Sequence, residues 1–414
     1  LKDLGLISEE DFSAGDRMTR AEAALIGARL FQINPVGTTP RFADNADVTS
    51  GGEEAQMLCD LGYMQVKADG SFGPNDPLSA IQAVRLFVGL LGYDVTLGGQ
   101  GKTDTNYFLK ASQIGLLKGL SLEREQEMTK GQFAKMVENV FDIPVMRLVG
   151  YGQDYTYETG SDDDTVLSVY HDIYRTEGVV DGTHLSLLAR PESTLSKNQI
   201  TIEGDSYLTG GKNYYDYLGE AVTAYYHEDG DERTLLSVTW DVQEKITLNA
   251  HDILSFENNT YEYETDGKIR KLRVSATADV IVNGQAAREN VRSMMVPKSG
   301  SVTLVDNAGD GTYEVVKVEL AMYYQVDTMN QVDQTLLDRY GQAALNLDED
   351  DVEKGVFVYR GGEEKDTGDI EAGMVLKVLP SDFSLDEEGF PYIAAEDEPQ
   401  SYRIEILDGE IQGT

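Results

Sequence analysis

Thr19-Arg20-Ala21-Glu22, Ser79-Ala80-Ile81-Gln82 and Thr129-Lys130-Gly131-Gln132 carry one helix-entry signature three times. Each is a hydroxyl residue followed three positions later by Glu or Gln, the pattern of a capping box. The hydroxyl accepts from the third amide of the helix, and the Glu/Gln side chain returns to the amide of the cap. The residues downstream also match. Ala23, Ile26, Gly27, Leu30 and Phe31 align with Ala83, Leu86, Phe87, Leu90 and Leu91, and with Phe133, Met136, Val137, Val140 and Phe141. That spacing predicts one buried stripe per helix.

Working outward, a second shared element precedes each box: Leu4-Gly5-Leu6-Ile7, Leu61-Gly62-Tyr63-Met64 and Ile114-Gly115-Leu116-Leu117. The apolar residue before each Gly ends a short helix, and the Gly supplies a left-handed stop. The unit is therefore helix, Gly stop, loop, capped helix. Boxes at 19, 79 and 129 give a period typical of repeat architectures. The copies divide at about 1–40, 41–100 and 101–147, and the first is expected to open inside its leading helix. One helix pair cannot cover its own apolar faces, whereas three together can.

The unit resembles the S-layer homology (SLH) domain, whose second helix opens with Thr-Arg-Ala-Glu after an Asp-Gly-x-Phe-x-Pro loop. Thr19–Glu22 matches the box in full, and Asp69-Gly70-Ser71-Phe72-Gly73-Pro74 matches the loop. The resemblance covers residues 1–147. It implies an all-α, pseudo-threefold bundle that binds an anionic secondary cell-wall polysaccharide at the surface of a Gram-positive bacterium. The implied ligand residues are Thr19, Arg20 and Glu22, with Thr129, Lys130 and Gln132. Lys130 keeps only a point charge, without the planar fork that grips a carboxylate. Ala80 carries no charge at all. The same motifs are also read as helix starts with no ligand duty.

Charge bounds the remaining partners. The chain has 34 basic and 73 acidic residues, a net of −39. Residues 1–147 hold 14 and 20 of these, a net of −6, which leaves −33 for the rest. Nucleic acid and anionic membranes are repelled by such a surface. No apolar run reaches the roughly 18 residues of a membrane span, so no insertion is expected. The one cysteine, Cys59, permits no intrachain disulfide and reads as a buried thiol.

Past Pro144 the texture changes. Residues 148–164 lack helical periodicity and read as a linker or extended lead-in. Short β-rich runs follow, with 20 of 23 tyrosines beyond residue 150. Gln199–Glu203 alternates with period two, as does Val316–Leu320. Asp266-Gly267 and Asn283-Gly284 lie between such runs, where two-residue hairpin turns need positive φ. Three tandem all-β domains, barrels or sandwiches, are expected at 165–255, 256–331 and 332–414. Gly409–Thr414 reads as the opening strand of a further unit. These phrases resemble the β-domain tails that follow SLH triplets in clostridial surface proteins. The fold class expected for the whole is α+β multidomain.

Catalytic spacing is absent. His171, His184, His227 and His251 form no metal-binding pair, and neither a nucleophile elbow nor a phosphate loop occurs. No enzyme and no cofactor are expected. Asp306-Asn307-Ala308-Gly309-Asp310-Gly311 offers Asp306 and Asp310 at calcium-loop positions one and five. Ala308 and Lys317 stand where further ligands belong, and a plain hairpin turn explains every residue. The reading is a wall-anchored surface protein whose β-domains space and self-associate. The alternative is an anchored carbohydrate-active enzyme or adhesin.

Overall fold

The computed structural model describes residues 13–45, 51–97, 101–151, 155–190, 192–287, 291–348, 355–395, 397, 399 and 401–407. The Gly stop at Leu4–Ile7 and the strand expected at Gly409–Thr414 lie outside these. The chain divides into two compact units, Leu1–Tyr174 and Arg175–Thr414. Among the described residues no helix is long and apolar enough to cross a membrane.

In the first unit the three boxes start α1 (Arg20–Leu30), α3 (Ala80–Leu90) and α5 (Lys130–Val140). Between them lie α2 (Gly52–Asp60) and α4 (Asp104–Gln113), which stop at Gly62 and Gly115 with φ of 81° and 84°. Of the fifteen stripe residues, Ile26 is half-buried and the others are buried. A Cβ at Gly27 would stand 3.2 Å from Leu90, so glycine lets α1 and α3 approach. The last helix, α6 (Val166–His171), docks its His171 Nε2 at 2.8 Å from the Leu30 carbonyl oxygen.

The expected all-α bundle is not what the structure contains. Strand outweighs helix across the chain, 39% to 21%, in several separate sheets. Within the first unit, the segments before the caps are extended and bridge one another as short antiparallel pairs, Arg17 with Thr129, Thr19 with Pro77 and Ser79 with Glu127. The expected linker forms a hairpin, β1 (Met146–Tyr151) with β2 (Tyr155–Thr159). It is tied back by the Met146 amide, which donates to the Leu91 carbonyl at 2.9 Å. The physical reason is backbone accounting. Cap residues need β-region φ/ψ, and a run of such residues has amides and carbonyls free to pair.

The second unit holds three β-assemblies in tandem. The first is a closed barrel of β3 (Ile173–Thr183), β4 (Gln199–Ile202), β5 (Asp205–Leu208), β6 (Ala221–Asp229) and β7 (Glu232–Trp240), ordered β3-β4-β5-β7-β6. Val180, Ile200, Ile202, Val222 and Leu235 fill it.

The second assembly comprises β8 (Glu244–Asn249), β9 (Ile253–Glu257), β10 (Thr260–Thr265), β11 (Lys268–Val282), β12 (Gln285–Ala286), β13 (Gly300–Asp306) and β14 (Thr312–Leu320). Its order is β8-β13-β14-β11-β10-β9, with β12 on β11. Asp266-Gly267 and Asn283-Gly284 make the β10–β11 and β11–β12 turns, all four residues at positive φ.

The third comprises β15 (Met322–Asn330), β16 (Thr335–Asp338), β17 (Leu345–Asn346), β18 (Gly355–Arg360), β19 (Glu363–Lys365) and β20 (Val375–Pro380). A small hairpin of β21 (Ser384–Leu385) and β22 (Pro391–Tyr392) precedes the closing β23 (Ser401–Leu407). The order is β17-β16-β15-β20-β23-β18-β19. The last two sheets share one core topology, β8-β13-β14-β11 and β15-β20-β23-β18, each ending in a parallel pair. The barrel carries the same parallel relation between β5 and β7.

Candidate functional site

In the first unit the three cap regions form a closed ring of backbone hydrogen bonds. The Met18 amide donates to the Met128 carbonyl at 2.9 Å, Met128 to Leu78 at 2.9 Å, and Leu78 to Met18 at 2.8 Å. All three side chains are buried. The ring also answers a need of the helices, whose first amides have no partner within the helix. Arg20 and Ala21 donate to Asp76 and Pro74, Ala80 and Ile81 to Gln126 and Arg124, and Lys130 and Gly131 to Asp16 and Ala14. Each helix start is thus satisfied by the loop of the next copy, and the third by the first. The boxes supply the rest. The Thr19 amide donates to Glu22 Oε2 at 2.8 Å, and the Glu22 amide to Thr19 Oγ1 at 3.3 Å. Thr129 and Gln132 repeat the exchange at 3.1 and 3.2 Å.

The ring places the two motif cations differently. Arg20 is 3% exposed. Its Nε donates to the Phe72 carbonyl at 2.8 Å, its Nη2 to the Gln65 carbonyl at 2.6 Å, and the guanidinium lies over the Phe72 ring. Burial lowers its proton affinity, opposed by Cys59, Asp76 and Asp44. It therefore clamps the Asp69–Pro74 loop, which Asp44 holds from the other side by accepting the Phe72 and Gly73 amides at 2.8 Å each. Lys130 reaches Glu22 of the first copy at 2.9 Å. Burial pushes the Glu22 carboxyl up, but Lys130 and Thr19 outweigh it and hold it below its ordinary value. Ala80 is fully buried. Cys59 borders the Arg20 pocket, and burial pushes its thiol up to about 11, which leaves it unreactive.

Asp306, Asp310 and Glu314 bring three carboxylates within 4.8 Å of one another. Glu314 was not part of the sequence pattern. The donor set suits a hard cation, yet the turn's own amides already use it. Asp306 accepts from Gly309 at 2.6 Å and Gly311 at 2.8 Å, Asp310 from Thr312 at 2.8 Å, and Glu314 from Asn307 at 2.9 Å.

The three β-assemblies meet at a polar junction that sequence reasoning missed. Glu220, fully buried, receives Lys245 Nζ at 2.7 Å and Lys317 Nζ at 2.5 Å from the second sheet. Glu319 receives Lys377 at 2.6 Å and Arg403 at 2.9 Å from the third. Burial raises the Glu319 carboxyl, and these cations outweigh it to leave it lowered. Arg403 also reaches Asp216 at 3.3 Å, and Asn213 donates to the Tyr359 hydroxyl at 2.6 Å. A cavity of about 70 Å³ lies among these groups. An apolar seam of Leu218, Ile281, Val305 and Val315 runs beside it. His184 packs edge-on to Tyr215 and Phe357 with neither ring nitrogen hydrogen-bonded among the described residues. Each partner lies many residues away, so no local signal in the sequence reveals the junction.

No family model matches the chain. It is similar over 94% of its length to a middle cell wall protein of Brevibacillus brevis, at 22% identity. It is also similar over 70% to a surface layer protein of Brevibacillus choshinensis, at 23%, and over 60% to a cell surface protein of Thermoanaerobacter kivui, at 24%. The chain spans 42%, 28% and 30% of those proteins, less than half of each. Through both of its units, the chain is similar to proteins named for the bacterial cell wall and surface layer.

Proposed function

We propose that this chain is an extracellular structural protein of the bacterial cell surface, of the surface-layer type, held at the cell wall. The observation that carries the reading is the likeness to a cell-wall protein along 94% of the chain, through both units. The relatives bear names of structural surface proteins rather than enzymes. In this reading the first unit is an SLH-like triplet that attaches to wall polysaccharide in the grooves between successive copies. Thr19, Arg20 and Glu22 form one such edge, and Thr129, Lys130 and Gln132 another. Arg20 acts there by fixing the 69–74 loop, since it is buried and its Nε and Nη2 each donate to a backbone carbonyl. The second unit is a stiff spacer, supported by the buried ion pairs and seam that join its three β-assemblies.

Co-sedimentation of the whole chain with purified wall sacculi, with and without their secondary polymer, tests this. Capture should require the polymer and weaken in a folded Lys130→Ala, Gln132→Ala variant. Equal capture by stripped sacculi overturns the polymer as the ligand, and no capture by intact ones overturns wall attachment.

A further inference from the structure

In a chain with 73 acidic residues, Lys268–Lys298 is a basic island of seven basic and two acidic residues. Its residues Val274, Val280, Arg292 and Met295 line an open groove of about 400 Å³ on the second sheet, while Lys298 lies against Gly389. Phe256, Val274, Val280 and Met295 floor it, Arg292 stands at its rim, and among the described residues no carboxylate lines it. The groove opens where β11 bulges. Its pairing with β14 breaks between Val274 and Asp279, so four residues of one strand face one of the other. Arg270 and Lys268, opposite Tyr263 and Thr265, continue the groove side of β11 outward, and both are exposed. Lys271, on the other side of the strand, is neutralised by Glu262. Glu264 sits opposite Ile269 on that same outer side.

A segment of complementary chemistry lies elsewhere in the chain. Asp386, Glu387 and Glu388 are exposed at the tip of the β21–β22 hairpin, beside Phe390 and Tyr392 at 42% and 44% exposure. Its base, Phe383 and Leu385, packs on the same core cluster that contains Met295. Groove floor and hairpin base therefore share one core, so both can belong to the single self-complementary patch that a twofold contact uses.

We propose that two copies of this chain pair by laying the acidic, aromatic 386–392 hairpin of each into the basic-rimmed groove of the other. The apolar floor of the groove matches the hairpin's exposed Phe390 and Tyr392, which favours this occupant over a polar polysaccharide. The proposal rests on the structural-array reading and names a surface for it. Opposed charges across the contact set its specificity and its salt dependence.

Sedimentation velocity on the full chain tests it. Pairing is expected at low salt, weakening as salt screens the contact. Lys268→Glu, Arg270→Glu, Arg292→Glu together should raise the dissociation constant at least about 10-fold. So should Glu387→Lys with Glu388→Lys, and mixing the two variants should restore pairing. A monomer under every condition overturns the proposal, as does a basic-face variant that pairs like wild type or a mixture that fails to recover. Loss of sacculus capture in the basic-face variant, with no effect on self-association, assigns the groove to the anionic wall polymer and also overturns it. Wall capture is read separately, so failed pairing leaves the attachment reading intact.

Discussion

Glu220→Gln removes the carboxylate that two lysines share, and its cost can be bounded from the geometry. Breaking one side of a buried ion pair costs about 3–5 kcal/mol, because the remaining charge stays desolvated. The Lys245 side chain is 36% exposed and can turn to water, while Lys317 is 17% exposed and cannot. Lys317 still has the Asp216 carbonyl at 2.5 Å. Its ordinary value is 10.5, already lowered by burial. Shedding the proton at neutral pH therefore caps the penalty at about 5 kcal/mol, at 1.36 kcal/mol per unit. Glutamine keeps one side-chain oxygen that a lysine can still donate to, although its amide nitrogen falls where Glu220 Oε2 is already buried without a partner. About 3 kcal/mol is expected. Trp240 is the sensor: it is the sole tryptophan, stacked on Tyr217, with Lys245 Nζ at 5.2 Å from its ring. Urea titration followed by its fluorescence should show an earlier transition, and Glu220→Leu with Lys317→Met should recover most of it. A loss under about 1 kcal/mol, or a double variant as weak as the single, refutes the buried-pair account.

Three further substitutions probe other parts of the fold. Burial lowers the His184 imidazole to about 4 from its ordinary 6.5. The sign is that of a base held neutral: its contribution is whole above 6.5 and drains away as pH falls toward 4. Thermal melts across that range should show a decline that His184→Phe flattens. Thr19→Ala deletes one cap and should cost about 1 kcal/mol, read from helical circular dichroism. Gly300 sits at φ +92°, and a Cβ there would stand 2.0 Å from the Glu319 carbonyl oxygen. Gly300→Ala should therefore cost more than about 3 kcal/mol, and soluble yield with a near-native melt would contradict it.

What was legible in the sequence was local. A capping box spans four residues, so Thr19, Ser79 and Thr129 announced their helices. Positive-φ pairs such as Asn283-Gly284 announced their turns. Ring closure was not legible, because the Met18 amide and the Met128 carbonyl are joined only after three loops have folded. Nor was the extended, bridging character of the cap segments, which is where the all-α expectation failed. The motif placed Arg20 as a ligand residue by residue type, whereas the fold buries it and gives two of its donors to the Phe72 and Gln65 carbonyls. Glu220 and Lys317 were two among many charges. Burial, which makes them matter, is not a property of their neighbours in the chain.

A ring differs from a stack in what it does with its ends. Stacked repeats add or lose members at the terminus and need special end units to seal them. Here the loop of the first copy completes the third helix, so no terminus exists to seal. The number three is set by closure: a fourth copy inserted in frame would open the circle as surely as deleting one. Closure also orders events in time. Until residues 124–131 have been made, Met18 and Leu78 have only each other, and the last bonds form all at once. The unit is therefore expected to be intolerant of any change in how many copies there are.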